Sequence, residues 1–357
     1  MLAEVIGKDP GLEVAGTAAN GRIALEKLPQ VLPDLVTLDV SMPELGGLET
    51  LKELRRLYPD LPVLMVSAQT ERGAETTIDA LFLGAADYVT KPSAAKGVAA
   101  SVARFNETLT DKARELCAKR LEAPPSPPAS NQRVIPPAPS TPVRGLSRKQ
   151  RVEVVVLGAS TGGPLVLAEV LSALPGDFPV PVVVVQHMLP LFTARLCERL
   201  AARCALSVRE AVNGERLVAG GARLAPGDYH VAFERMKAEK RQGETTLRVH
   251  QGLPVNFCRP SVDVLFESAA ERFAGGTLAV VLTGMGQDGK RGCEAVRAAG
   301  GQVLVQDAET STVWGMPGAV ARAGLADATL PRGEIAREIV RRTLVDRARA
   351  PAVKEWI

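Results

Sequence analysis

Apolar positions along the first 120 residues alternate between two rhythms. Short apolar runs at Leu12–Gly16, Leu35–Leu38, Pro62–Val66 and Asp87–Val89 predict strands. Helical spacing separates them, over Gly21–Leu28, over Leu48–Leu57 with Leu48, Leu51, Leu54 and Leu57 on one face, and over Ala74–Leu83. A long helix is predicted from near Ala94 to Leu121. Strand–helix alternation of this kind argues a parallel sheet with helical crossovers. The rhythm returns after residue 150. Val152–Leu157 predicts a strand, and Gly162-Gly163-Pro164 then opens a helix, with proline where its fixed φ suits helix entry. Leu167, Val170, Leu171 and Leu174 mark one face of that helix until Pro175-Gly176 stops it. Val182–Val185, Thr277–Leu282 and Gln302–Val305 are further strand runs, and Met316-Pro317 opens another helix. Between Val208 and Val255 the pattern is irregular, with Gly-rich turns and alternating runs such as Thr246–Val249, and predicts a β-rich excursion.

The two halves are separated by Ala123–Ser147. Its runs Ala123-Pro124-Pro125-Ser126-Pro127-Pro128 and Ile135-Pro136-Pro137-Ala138-Pro139 can form neither helix nor central strand, and predict an extended, semi-stiff linker. The expected organisation is a first domain over 1–121, a linker over 122–149, a second domain over 150–345 and a tail over 346–357.

Composition removes several function classes. A chain of 357 residues with 46% hydrophobic content is too long for one small core and too apolar to be mainly disordered. The net charge of +3 is spread without a basic stripe, and aromatics are few, so nucleic acid is not expected as a partner. Five scattered cysteines without a Cys-x-x-Cys pair suggest neither a disulfide framework nor zinc. No apolar run spans a bilayer, and Met1-Leu2-Ala3-Glu4 does not begin a signal peptide; a cytoplasmic protein without membrane insertion is expected.

The candidate chemistry sits where strands end. In the second half, the three strand runs beginning near 152, 182 and 277 lead into Gly158-Ala159-Ser160-Thr161-Gly162, Gln186-His187, and Thr283-Gly284-Met285-Gly286-Gln287-Asp288-Gly289. In open α/β sheets, ligands bind at the carboxyl ends of the strands. A hydroxyl, an imidazole and a carboxylate at that edge are the parts of a serine hydrolase. The Gly-x-Ser-x-Gly segment fits a nucleophile elbow. Walker A fails because Pro164 stands where lysine is needed, and the dinucleotide fingerprint fails because residue 160 is Ser. A Gly-rich turn carrying a solvated serine fits this segment equally well when it is taken alone. The order Ser, His, Asp differs from that of α/β-hydrolases and points to a different doubly wound sheet. Of the other histidines, His230 reads as a turn or substrate-binding residue and His250 as a surface one. Asp288 by itself also fits an Asx-type turn.

In the first half, Asp39, Ser67 and Lys91 follow three strand runs in the same way. They offer a carboxylate with a hydroxyl and an ammonium for phosphoryl oxygens. The alternative there is a simple ion pair between strand ends.

The segments Asp34–Gly47, Val66-Ser67-Ala68 and Tyr88-Val89-Thr90-Lys91-Pro92 resemble response-regulator receiver domains over about residues 1–120. The resemblance implies a flavodoxin-like fold, phosphorylation at Asp39, switch roles for Ser67, Tyr88 and Lys91, Mg²⁺ as cofactor and a chemotaxis-type histidine kinase as phosphodonor. Receivers begin with a strand ending in an acidic pair that binds Mg²⁺. Here that strand has no counterpart, so Asp39 and the Ser41 carbonyl make only a partial site, and a natural start upstream of Met1 is expected.

Gly158–Gly163, Val185–Met188, Phe192-Thr193, Arg259–Asp263, Leu282–Gly289 and Val313–Gly318 look like the catalytic domain of the CheB chemotaxis receptor methylesterases over about 150–345. That resemblance implies Ser160 as nucleophile, His187 as general base and acid, and Asp288 as the carboxylate holding it. Backbone amides near Thr161 and Met285 are oxyanion candidates by position. The implied substrates are glutamyl methyl esters of methyl-accepting receptors, with deamidation of receptor glutamines at the same site and no metal. Two departures are Phe257-Cys258, where the family carries a more polar pair, and Leu191 in place of a glycine. Phe257, Cys258 and Trp314 fit core or rim packing. The competing reading is a non-catalytic response regulator whose second domain only binds receptors.

Overall fold

A computed structural model describes residues 2–92, 98–122, 151–235 and 245–344. The expected linker, the tail after 345 and the predicted helix start at Ala94 lie outside those residues. The chain divides into two compact units, each described by itself.

The first unit holds α1 (Leu2–Ile6), α2 (Gly21–Val31), β1 (Val36–Asp39), α3 (Gly47–Leu57), β2 (Val63–Ser67), α4 (Glu71–Phe82), β3 (Asp87–Thr90) and α5 (Val98–Glu122). Its sheet is parallel in the order β1-β2-β3. β2 is buried along its whole length, as a central parallel strand covered on both faces should be. The helices α2 and α4 start where side chains satisfy their first amides: Asn20 accepts from the Ile23 N–H and Thr70 from the Gly73 N–H.

The strand expected at Leu12–Gly16 is not formed. Those residues join no strand, and most are exposed. In a 2-1-3-4-5 order their ladder neighbour would be the strand preceding the first helix. Residues 2–11 contain a helix and turns instead, so among the described residues no strand pairs with the segment.

The second unit contains β4 (Val154–Ala159), α6 (Gly163–Ser172), β5 (Val182–Gln186), α7 (Pro190–Ala201), β6 (Ser207–Glu210), β7 (Gly221–Leu224), β8 (His230–Arg235), β9 (Thr245–His250), α8 (Val262–Phe273), β10 (Thr277–Val281), α9 (Lys290–Ala298), β11 (Gln302–Gln306), α10 (Met316–Arg322), β12 (Ala328–Leu330) and α11 (Arg332–Leu344). Seven strands form one parallel sheet in the order β12-β11-β10-β4-β5-β7-β6. The β-rich excursion is therefore split. β6 and β7 extend the parallel sheet, while β8 and β9 form a separate antiparallel pair.

Strand alternation builds the core on both faces. Val154, Val156, Val183, Val185, Ala279, Val281, Val303 and Val305 share one buried cluster with Val262, Leu265 and Phe266 of α8 and Val296 of α9. The intervening Val155, Leu157, Val182, Val184, Leu278, Val280 and Leu304 are also buried, on the opposite side of the pleat from that cluster. The chain leaves β4 towards β5 on one side, while β10 lies on the other. The strand order thus reverses at β4, which is where a doubly wound sheet opens its ligand crevice.

Candidate active site

Three neighbouring strands deliver the predicted groups. Backbone hydrogen bonds lock their ends together: the Ser160 N–H donates to the Thr283 carbonyl at 3.0 Å, and the His187 N–H to the Ala159 carbonyl at 3.0 Å. The turn after β4 closes with the Gly163 N–H (2.8 Å) and the Gln186 side-chain amide (2.8 Å) both on the Ser160 carbonyl. Positive φ falls at Gly162 (+78°) and not at the serine, and a Cβ there would lie 2.2 Å from Thr312 Oγ1. On the other side of Ser160, a Cβ on Gly284 would lie 2.8 Å from Ser160 Cβ and 2.4 Å from Met316 Sδ, so the loop after β10 rides directly against the serine.

His187 Nε2 and Asp288 Oδ2 are 2.8 Å apart. Asp288 is buried and accepts from five donors: His187 Nε2, the Val262 N–H, Ser261 Oγ, Asn256 Nδ2 and the Asp263 N–H. Three of these belong to the start of α8, whose unpaired amides and dipole favour negative charge. Asp263 returns the arrangement: its Oδ1 accepts from the Gly289 and Gly292 N–H groups, which begin α9. Two helix starts thus hold each other, and Asp288 sits between them.

The electrostatics follow from this. Burial opposes the charged form of each partner. For His187 the Asp288 hydrogen bond and then the Cys258 contact outweigh burial, and its pKa is raised. For Asp288 the bonds from His187, Val262 and Asn256 outweigh burial, and its carboxyl is held below the usual range. Asp263 moves the other way, raised chiefly by burial.

With Nε2 given to Asp288, Nδ1 is the imidazole nitrogen left to accept a proton. Cys258 Sγ lies 3.7 Å from it. Among the described residues Ser160 Oγ has no hydrogen-bond partner, so the structure joins His187 to Asp288 but does not yet join Ser160 to His187. Catalytic hydrogen bonds of this type are often long before substrate binds. The Thr161 side is buried, its carbonyl accepting from Thr283 Oγ1, while Met285 is half-buried in the loop beside Ser160.

Other expectations need adjusting. His230 is not a turn residue. It is buried at the start of β8, its Nδ1 accepts from the Ser261 N–H and its Nε2 donates to the Leu253 carbonyl. It therefore ties two segments of the site's rim together, and burial lowers its pKa. His250 is half-buried, 5.5 Å from the His230 ring. Phe257 is fully exposed, Cys258 faces the His187 ring, and Trp314 Nε1 donates to the Gln306 carbonyl. Asn256, Ser261 and Asp263 went unassigned in the sequence reading. Ser261 and Asp263 lie in the Arg259–Asp263 motif, where Ser261-Val262-Asp263 also has the form of a helix start.

In the first unit, Asp39 Oδ2 and Lys91 Nζ are 2.5 Å apart, and Asp39 Oδ1 accepts from the Ser41 N–H. Ser67 is buried and its hydroxyl donates to the Gly73 carbonyl at 3.1 Å, away from Asp39. Tyr88 is buried, with Lys112 Nζ 5.4 Å from its ring centre. The side chains at Asp39 do not fit Mg²⁺ on their own. Both carboxylate oxygens are committed, and among the described residues no trio of His, Cys, Asp or Glu converges there.

Residues 155–339 match the family model for CheB methylesterase, and residues 1–103 that for the response regulator receiver domain. The chain belongs to the CheB methylesterase family. A protein of Trichodesmium erythraeum (strain IMS101), named protein-glutamate methylesterase/protein-glutamine glutaminase, is 45% identical over 96% of this chain and 95% of its own length. A protein of Caulobacter vibrioides with the same name, numbered 2, is 44% identical over 94% of this chain and 93% of its own. The crystal structure of the Thermotoga maritima CheB methylesterase catalytic domain matches with a TM-score of 0.51 and 40% identity, covering 54% of this chain and 99% of that one. Membership of this family accounts for the doubly wound parallel sheet and for its pairing with a receiver.

Proposed function

We propose that this protein hydrolyses glutamyl methyl esters on methyl-accepting chemotaxis receptors, with Ser160 as nucleophile, His187 as general base and acid, and Asp288 as the carboxylate that orients His187. The observation that carries the residue roles is the His187–Asp288 pair, built at the reversal point of the sheet beside Ser160. Asp288 keeps the proton on Nε2, so Nδ1 takes the Ser160 proton as Oγ attacks the ester carbonyl. The tetrahedral oxyanion is met by backbone amides near Thr161 and Met285, at the start of α6 and in the loop that Gly284 presses against the serine. The imidazolium then protonates methanol as it leaves. Water, activated by the same nitrogen, releases glutamate from the glutamyl-serine ester. Receptor glutamines enter the same route, with ammonia as the leaving group.

The receiver supplies control. Phosphorylation falls on Asp39, from a histidine kinase of the chemotaxis type, and relieves inhibition of the hydrolase on the cytoplasmic side of the membrane. Ser67, Tyr88 and Lys91 are the switch residues, and the Lys91–Asp39 ion pair is the contact that a phosphoryl group would replace. The domains run 1–121 and 150–345. Methanol release from methylated receptor membranes, compared between wild type and Ser160→Ala, tests the catalytic reading. Equal rates would remove Ser160 from the reaction.

A further inference from the structure

Besides Ser160, a second nucleophile faces the base. Cys258 Sγ lies 3.7 Å from His187 Nδ1, and Asp288 holds the far side of the ring at 2.8 Å. Cysteine, imidazole and carboxylate therefore form a continuous relay, whereas Ser160 Oγ is not bonded to the ring. Cys258 follows Asn256 and Phe257, both exposed and both with positive φ, so the thiol is carried on the open rim and is itself only partly covered. Three of the five hydrogen bonds to Asp288 come from the α8 start, and one comes from the His187 ring.

We propose that Cys258 is a reactive thiol that shares His187 with Ser160, and that its oxidation by hydrogen peroxide switches the hydrolase off. The inference rests on His187 being the general base. The thiol gives its proton to Nδ1, leaving a thiolate beside an imidazolium steadied by Asp288. The thiolate sulfur attacks one peroxide oxygen and the O–O bond breaks. Sulfur loses two electrons and becomes a sulfenic acid. Peroxide is reduced, and the departing hydroxide takes the imidazolium proton to leave as water. The sulfenic group now occupies the space at Nδ1, and Ser160 has no base. A small-molecule thiol reverses the step: it displaces water to form a mixed disulfide, and a second thiol then frees Cys258. Burial raises the pKa of Cys197, Cys204 and Cys293, which makes those three thiols less reactive.

The test uses the full chain. Wild type, Cys258→Ser, Cys258→Ala and His187→Gln are treated with hydrogen peroxide. Each is then split between methanol release from methylated receptor membranes and mass spectrometry after trapping with a dimedone probe. Wild type is expected to lose at least about tenfold of its activity, to carry the probe on Cys258, and to recover with dithiothreitol. The two Cys258 variants are each compared with their own untreated rate and should keep it. His187→Gln should trap probe at Cys258 about tenfold more slowly. Absence of probe on Cys258, a labelled but fully active enzyme, or equal peroxide sensitivity in both Cys258 variants would each overturn the proposal. If untreated wild type releases no methanol, the esterase reading fails instead. The His187-dependent labelling of Cys258 then still decides whether the thiol is reactive.

Discussion

His187 Nε2 sits 2.8 Å from Asp288 Oδ2, at the end of a chain of donors that begins in the first turn of α8. The carboxylate is therefore fixed by the start of a helix as well as by the imidazole. Replacing Asp288 by Asn keeps the shape but presents an amide to the ring and releases the wrong tautomer. Methanol release should fall by about 10⁴-fold, with binding of the receptor membranes, measured by sedimentation, little changed.

The same pair sets a pH dependence. In the proposed reaction His187 must be neutral to act as a base, and its pKa is raised above the ordinary 6.5. Activity is therefore lost as pH falls through a midpoint above that value, and kcat/KM measured against pH should show its acid limb there. An acid limb at or below 6.5 would contradict the arrangement. Stability carries the opposite signs for the two partners. The His187 contribution is full below its unfolded value and fades as pH rises through the folded one. The Asp288 contribution is present above the unfolded carboxylate value and is lost as pH falls through its depressed one. Urea midpoints of wild type and Asp288→Asn, compared across pH, check both.

Ser261→Ala and Asn256→Ala each remove one donor from the buried Asp288 carboxylate. Hydrogen bonds to a charged group contribute roughly 1.5–3 kcal/mol, so each variant should unfold at measurably lower denaturant. Activity should fall through kcat more than through KM, because the loss acts on the orientation of the base.

Gly284→Ala should be costly for a steric reason. The new methyl group would meet Met316 Sδ and Ser160 Cβ well inside contact distance. The loop after β10 must then shift away from the serine. A loss of at least about tenfold in kcat is expected, since a misplacement of about 1 Å can cost 10²-fold. Wild-type activity in this variant would show that the contact does not position the nucleophile.

Removing residues 1–147 should raise basal methanol release if the receiver inhibits the hydrolase. In the full chain, Asp39→Ala should abolish incorporation of label from a radiolabelled small-molecule phosphodonor. An unchanged basal rate in the shortened protein would end the inhibition reading.

Much of this protein is legible along the chain because parallel strands buried on both faces must be continuous apolar runs. The Val-rich strands β4, β5 and β10 announce themselves in that way, and each hands the chain to a polar residue at the one edge where polar groups can meet a ligand. Strand ends are thus local facts, and Ser160, His187, Asp288, Asp39 and Lys91 could be read from them. Pairing is not local. Leu12–Gly16 carries a strand pattern but pairs with no strand among the described residues, and β6 and β7 look irregular in sequence yet find places in the long parallel sheet. The same holds for the support of Asp288. Asn256, Ser261 and Asp263 lie 25 or more positions from it along the chain, and only the packing of α8 against α9 brings their donors to its oxygens. Which nitrogen of His187 faces the carboxylate, and that Cys258 faces the other, depends on side-chain directions across three segments far apart in sequence. Tertiary structure alone decides that, because hydrogen bonds between distant residues are set by where the backbone ends up and not by the pattern that put it into strands.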